Sequence, residues 1–384
     1  SEKEDDQFEQ HQKSLGAASF LSVTQLPVSV IESTAYFANW DSLYFTLLPV
    51  LNFLLGEAGA AAGLPSNNFV LPMAFMAFFY ILFTLTTTEI FSKDVPRIMI
   101  TGNIITGTAN FVASLAVLTF APTQVLDFSL EETSKQLMPT LIRFLQSKNP
   151  NIQAPDGGPM DPLVPSIVLS AIAAFQGMLL FGPAHRFARL YHKAVSPVPH
   201  WGQDYMSFSL GDHLQLVLPA AVLVAWIRPL TDVWELSEGT LAYAKPAVLM
   251  LCGAVSIAGL RPLVQSYLNL ALQYWYDLKH GHKPSDRGQD SHGRSTAAIM
   301  RIRIQHNQSL VVKVAIQLFS LATLLLSYAA MLFAGTLRSP PPEETMVVPT
   351  AWATLAGFLG WWACLCWFVY VALGLIMHRT GIIT

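Results

Sequence analysis

The chain has 384 residues, of which 52% are hydrophobic and only 12% charged, with a mean hydropathy of +0.42. Soluble proteins carry about 25% charged residues, so this composition excludes an ordinary soluble domain and implies an integral membrane protein. A net charge of -3 and a pI near 6.3 give no sign of the clustered basic face that nucleic-acid binding requires.

Residues 1 to 14 are polar and acidic, and 15 to 40 are moderately apolar but interrupted by Gln25, Pro27 and Glu32. We read 1–40 as a polar tail followed by an interfacial segment. Eight apolar stretches follow, at roughly 42–62, 69–91, 97–120, 163–183, 213–230, 241–261, 309–334 and 350–377. Each is read as a helix crossing a hydrocarbon core of about 30 Å, the fifth being short. The expected fold is therefore all-α: a polytopic helical bundle of about eight transmembrane helices with interfacial amphipathic helices. A single transmembrane domain would cover 41–378, with a cytosolic helix and linker at 262–308 and a short tail at 379–384.

With eight spans, the side holding both termini receives fifteen Lys and Arg, among them Lys93, Arg97, Arg186, Arg189, Lys193, Arg261 and Arg379. The other side receives six, and Lys313 falls within a span. That bias places both termini and the loop 278–308 in the cytosol, or in the matrix for an organellar protein. The loop between the third and fourth spans contains a helix-like piece with Leu137, Leu141, Phe144 and Leu145 on one face. After the fourth span, HRFARLYHK has the composition of an interfacial helix near anionic lipid.

Residues 241 to 276 would extend about 54 Å as one helix, at about 1.5 Å per residue, well beyond the hydrocarbon core. The expected break is at Arg261 and Pro262. A second helix then starts with proline in its first turn and carries Gln265, Asn269 and Gln273 opposite Leu263, Leu270 and Trp275.

Two polar seams run inside apolar spans. Ser309, Lys313, Gln317, Ser320 and Ser327 share a face of the seventh, and Asn103, Thr106, Asn110 and Ser114 share a face of the third. Ser166 and Ser170 offer a shorter seam on the fourth. Such seams line an aqueous path or hold helices together by hydrogen bonds. Lys313 carries the strongest suggestion of a site, because an intramembrane Lys is costly; Glu89 or Asp41, near the same boundary, would be its partner.

No P-loop, HExxH, GxSxG or metal-ligand pair on a helix face occurs, so no catalytic, metal or cofactor residues are assigned and no enzyme activity is expected. The cysteines Cys252, Cys364 and Cys366 sit in apolar segments, where no disulfide framework or zinc site can be read.

LRPLVQSYLNLA, Leu260 to Ala271, and WIRPLT, Trp226 to Thr231, resemble motifs of the transmembrane protein 161 family of eukaryotic multi-pass proteins. Weaker likenesses are Leu82–Thr87, Phe128–Leu145, Arg186 with Ala188, and Trp361-Trp362-Ala363. The motif positions are Arg228, Pro229, Arg261, Gln265, Tyr267 and Asn269. What the resemblance implies is a regulator of membrane excitability or signalling with no catalytic residues. The expected role is thus a non-catalytic modulator, scaffold or accessory subunit of a larger membrane assembly, with lipids and other membrane subunits as partners. A channel or small-solute transporter using the seams of spans three, four and seven is the alternative. The resemblance favours the plasma membrane or endomembranes; the mitochondrial inner membrane is the other possibility.

Overall fold

The computed structural model describes residues 80, 83–84, 87, 97–122, 124–126, 128, 130, 134–135, 161, 163–195, 210–234, 237–267, 314–319, 321–333 and 347–380. Helix is the regular structure throughout them: α1 Arg97–Phe120, α2 Leu163–Val195, α3 Leu210–Ala225, α4 Arg228–Val233, α5 Glu238–Ala258, α6 at 260–267, α7 Val314–Phe333 and α8 Val347–Arg379. Among the described residues the β-pairing is one isolated antiparallel bridge, Leu126 to Ile227.

Five helical stretches are long and apolar enough to cross a membrane: Thr101–Phe120, Leu163–Lys193, Gly239–Ala258, Val314–Phe333 and Ala353–Arg379. The chain is thus a multi-pass integral membrane protein. The count of eight is not reached among the described residues. The first two expected spans lie almost wholly outside them, and the fifth is cut short. Residues 213–230 do not form one helix: α3 is 16 residues long, ends at Ala225, and is followed by extended Ile227 at φ -86°, ψ 100°. Pro229 explains the interruption, because it has no N–H to offer Ala225 and restarts a helix most easily from its first turn.

The opposite correction applies to α2. The sequence suggests a span ending near residue 183 and a separate interfacial helix, yet Leu163–Val195 is one helix with Pro183 inside it. Beyond the proline, Ala184, Phe187, Ala188 and Leu190 are all buried. Continued packing of that face offsets the single backbone bond that Pro183 withdraws from Leu179.

At the end of α5 the interruption is smaller than expected and lies at Gly259, ahead of Arg261. The Gly259 N–H bonds Val255 O at 2.9 Å and the Leu263 N–H bonds Gly259 O at 3.2 Å, so helical bonding passes through the junction. Pro262 sits early in α6, where its missing N–H leaves only the Ala258 carbonyl without its usual donor.

The core is built by α2, α7 and α8. α2 packs on both α1 and α8, and α3 packs on α5 and α8. The most apolar window of α7 is 65% buried and that of α8 61%, against 17% for α1 and 22% for α5. Ile104, Ile105 and Val112 of α1 and Leu251 of α5 are more than half exposed. Outward apolar side chains on peripheral helices are what a hydrocarbon solvent permits. Trp361 and Trp362 belong to the core, edge-on to Phe128 and stacked near Phe358 respectively.

Candidate functional site: a polar network centred on α2

In lipid, polar side chains of apolar helices must bond to protein, and around α2 this happens at three levels. At the first, Gly177 makes room for Asn110 of α1: a Cβ at 177 would stand 2.5 Å from Asn110 Cγ. Through that gap the Asn110 amide donates to Tyr370 Oη and to its own Thr106 O, and Cys366 Sγ donates to Asn110 Oδ1 at 3.1 Å. Phe181 closes edge-on over Tyr370, with ring centroids 5.5 Å apart. α1 and α8 are thereby joined through a residue that α2 leaves out.

At the second level Gln176, 1% exposed, bonds both ways. Its Nε2 donates to Leu359 O of α8 at 3.1 Å, and its Oε1 accepts from Tyr328 Oη of α7 at 2.8 Å. At the third, Arg186 donates from Nη1 to Gln317 Oε1 of α7, and Tyr267 at the end of α6 is close enough to interact with the guanidinium electrostatically. A carboxamide buried in this way contributes most by orientation, since each inter-helical bond in a membrane is worth about 0.6 kcal/mol on average.

The seams read from sequence can now be placed. Asn103, Asn110 and Ser114 of α1 are buried, as are Ser166 and Ser170 of α2, and Ser114 Oγ reaches Ser170 O at 3.5 Å. Thr106 turns back to Gly102 O and Asn103 O of its own helix, both at 2.9 Å. Gln317 is 1% exposed and engaged with Arg186, while Ser327 bonds Thr323 O at 2.9 Å. Lys313, Ser320, Glu89, Asp41 and Asn269 lie outside the described residues, and with them the expected Lys313 pairing.

The two Arg-Pro motifs fall on helix junctions. Arg228 and Pro229 open α4, where the Arg228 N–H bonds Val125 O at 3.0 Å and Thr231 Oγ1 bonds Arg228 O at 2.9 Å. Trp226 is buried just before them, with Lys245 Nζ 5.5 Å from its ring centroid, a cation–π geometry. Arg261 and Gln265 are exposed on α6, and Tyr267 is buried.

Sequence reasoning missed Gln176, Tyr328, Cys366, Tyr370 and Gln215. Gln176 and Gln215 were visible as amides in apolar runs, which is the signal that could have found them. Gln215 of α3 fills the side-chain space of Gly259, where a Cβ would lie 1.8 Å from its Nε2, and donates to Val255 O at 3.4 Å. Beside it is a cavity of about 10 Å³ lined in part by Ser256, Cys252, Cys364 and Trp367, room for about one water molecule. All three cysteines are free and buried, and Cys252 and Cys364 meet side chain to side chain between α5 and α8. Among the described residues no group of three or more His, Cys, Asp or Glu could hold a metal ion.

A family model described as predicted transmembrane protein 161AB matches residues 36–282, well over half of the chain, and spans α1 to α6 with both Arg-Pro junctions. Comparison with curated proteins and with solved structures gives no match.

Proposed function

Because the chain belongs to the transmembrane protein 161AB family, we propose that it acts as a non-catalytic accessory or scaffolding subunit within a larger membrane assembly. The observation that supports this reading is the direction of its polar groups. Asn110, Gln176, Arg186 and Gln317 spend their bonding capacity on neighbouring helices, while α1 and α5 turn broad apolar faces outward. A rigid bundle with inward polar bonds and outward apolar helices suits contact with lipid and with partner helices. Along the α1, α2 and α7 seams, Asn110 and Gln317 are bonded to side chains of other helices and Thr106 and Ser327 to carbonyls of their own, which takes these groups away from lining a conducting path. The reading places both termini on the cytosolic side, following the Lys and Arg bias, in the plasma membrane or the endomembranes.

The test is the native mass of the tagged protein extracted in mild detergent, with co-purifying chains identified. A particle several times the 42.2 kDa chain with other subunits at fixed stoichiometry is the expected result. A monomer or homodimer alone would overturn it and make solute flux through reconstituted vesicles the next measurement.

A further inference from the structure

Phe120 closes α1 with its side chain 83% exposed. It continues the outward face that carries Ile105 and Val112, since the three recur at steps of seven and eight residues. An apolar face that runs to the last residue of a span meets the edge of the hydrocarbon there.

Other helix ends come to that level. α1 and α2 run antiparallel, with Gly102 beside Phe181 and Gly107 beside Met178, and Ser114 Oγ reaches Ser170 O at 3.5 Å. Ser114 precedes Phe120 by six residues and Ser170 follows Leu163 by seven. At about 1.5 Å per residue the two ends therefore agree in height to about 2 Å. In α5, Lys245 Nζ lies 5.5 Å from the Trp226 ring centroid. Lys245 follows Gly239, where the α5 span opens, by six residues. That sets Gly239 about 9 Å beyond Trp226. The chain from Trp226 to Gly239 climbs this distance, and α4 with Trp234 lies on the climb. The Arg228 N–H, bonded to Val125 O at 3.0 Å, fastens the start of α4 to the turn that follows Phe120.

α4 and its flank show two kinds of side chain to their surroundings. Val233 is 76% exposed, Trp234 60% and Leu230 43%, and Arg228 and Asp232 are exposed among them. Thr231 is the buried residue of the helix. Water holds exposed Val, Trp and Phe side chains at a cost, and hydrocarbon holds an arginine and an aspartate at a larger one. The layer where headgroups meet acyl chains accepts both, and an indole with its apolar ring and single N–H suits it. We infer that α4 and Trp234, at the level of Phe120, are an interfacial anchor set in the headgroup–acyl boundary, on the membrane face where α1 ends and α2 begins, and that their partner is the lipid itself. The outward face of α1 leads into this surface without interruption. The inference rests on the multi-pass character of the chain and needs no partner subunit.

The experiment uses the full chain reconstituted in phosphatidylcholine vesicles, with one added cysteine carrying a spin label. The positions are Val112→Cys, Phe120→Cys, Val233→Cys and Trp234→Cys, and the parent chain, whose Cys252, Cys364 and Cys366 are buried, is the labelling blank. Depth is read from the ratio of collisions with oxygen, which enters hydrocarbon, to those with a nickel chelate, which stays in water. Labels at 120, 233 and 234 should report one depth, agreeing to about one helical turn, and the label at 112 should lie about 12 Å deeper, eight residues along α1. Val233→Cys leaves the indole in place, so a fault specific to Trp234→Cys does not remove the test. Labels at 233 and 234 as open to the chelate as a label in water would overturn the inference, placing α4 outside the membrane. A depth equal to that at 112 would also overturn it, placing α4 in hydrocarbon. Shielding of 233 and 234 from both collision partners would overturn it in favour of a protein surface, such as a second copy of this chain, covering α4.

Discussion

Two Arg-Pro pairs interrupt this chain, and they do so differently. At Arg228-Pro229 the backbone leaves the helix for two residues, Trp226 and Ile227, pairs with the 125–126 segment, and begins a new six-residue helix. At Arg261-Pro262 the backbone stays close to helical, and Gly259 alone separates α5 from α6. The proline chemistry is the same in both, a missing N–H and a fixed φ. What differs is the neighbour. The first junction is held open by a buried tryptophan and an external strand-like partner. The second is held together by Gln215, whose amide sits where any side chain at 259 would go and bonds a carbonyl of the preceding turn. Proline sets where an interruption is allowed, and the packing decides its size.

The largest expected effect is at the first junction. Trp226→Ala removes the indole packed below Lys245 and near Gly357 of α8. It should destabilise the protein by about 3 kcal/mol, read from reversible unfolding in mild detergent. A loss below about 1 kcal/mol would mean that the Leu126–Ile227 bridge, not the tryptophan, holds the junction.

Next comes Gly259→Ala, which drives a methyl into the Gln215 amide. Overpacking of this kind costs about 1–3 kcal/mol. The sharper measurement is the double-mutant cycle with Gln215→Ala. The two changes together should cost less than their sum, with a coupling of at least about 0.5 kcal/mol, because the second removes the obstacle that the first meets. Additive costs would show that the close approach of α3 to this junction does not define it.

The smallest effect should be Pro262→Ala, within about 0.5 kcal/mol of the parent in the same assay. The substitution returns a donor for the Ala258 carbonyl and gives up the preset φ, and these oppose each other. Since helical bonding already runs from Val255 to Leu263, little remains to be repaired. A gain of more than about 1 kcal/mol would identify the proline as a strained element instead of a tolerated one.

Much of the framework was legible in the residues. The limits of α1 coincide with the apolar run 97–120, and α8 differs by a few residues from 350–377, because a span needs about 20 apolar residues and nothing else explains such a run. The polar seams were legible as faces by helical spacing. Which partner each seam would meet was not. Asn110 was grouped with Asn103 and Thr106 by periodicity, but its bonds go to Tyr370 and Cys366, about 260 residues away. Gly177 could be recognised as small, though not as the space reserved for another helix's amide. Arg186 falls by composition in an interfacial helix after an apolar stretch, whereas continuation of α2 through Pro183 carries it into contact with Gln317.

Composition and periodicity by themselves determined that this chain is a helical membrane protein and set the limits of α1, α5 and α8 to within a few residues, because hydrocarbon forbids unpaired backbone and each span must satisfy its own. Only the tertiary structure decided that α3 stops at Ala225, that α2 runs on past its proline, and that α2 serves as the hub to which α1, α7 and α8 are bonded. Those outcomes depend on side chains far apart in sequence whose meeting changes the cost of a local break by a few bonds. A local pattern carries no record of such meetings.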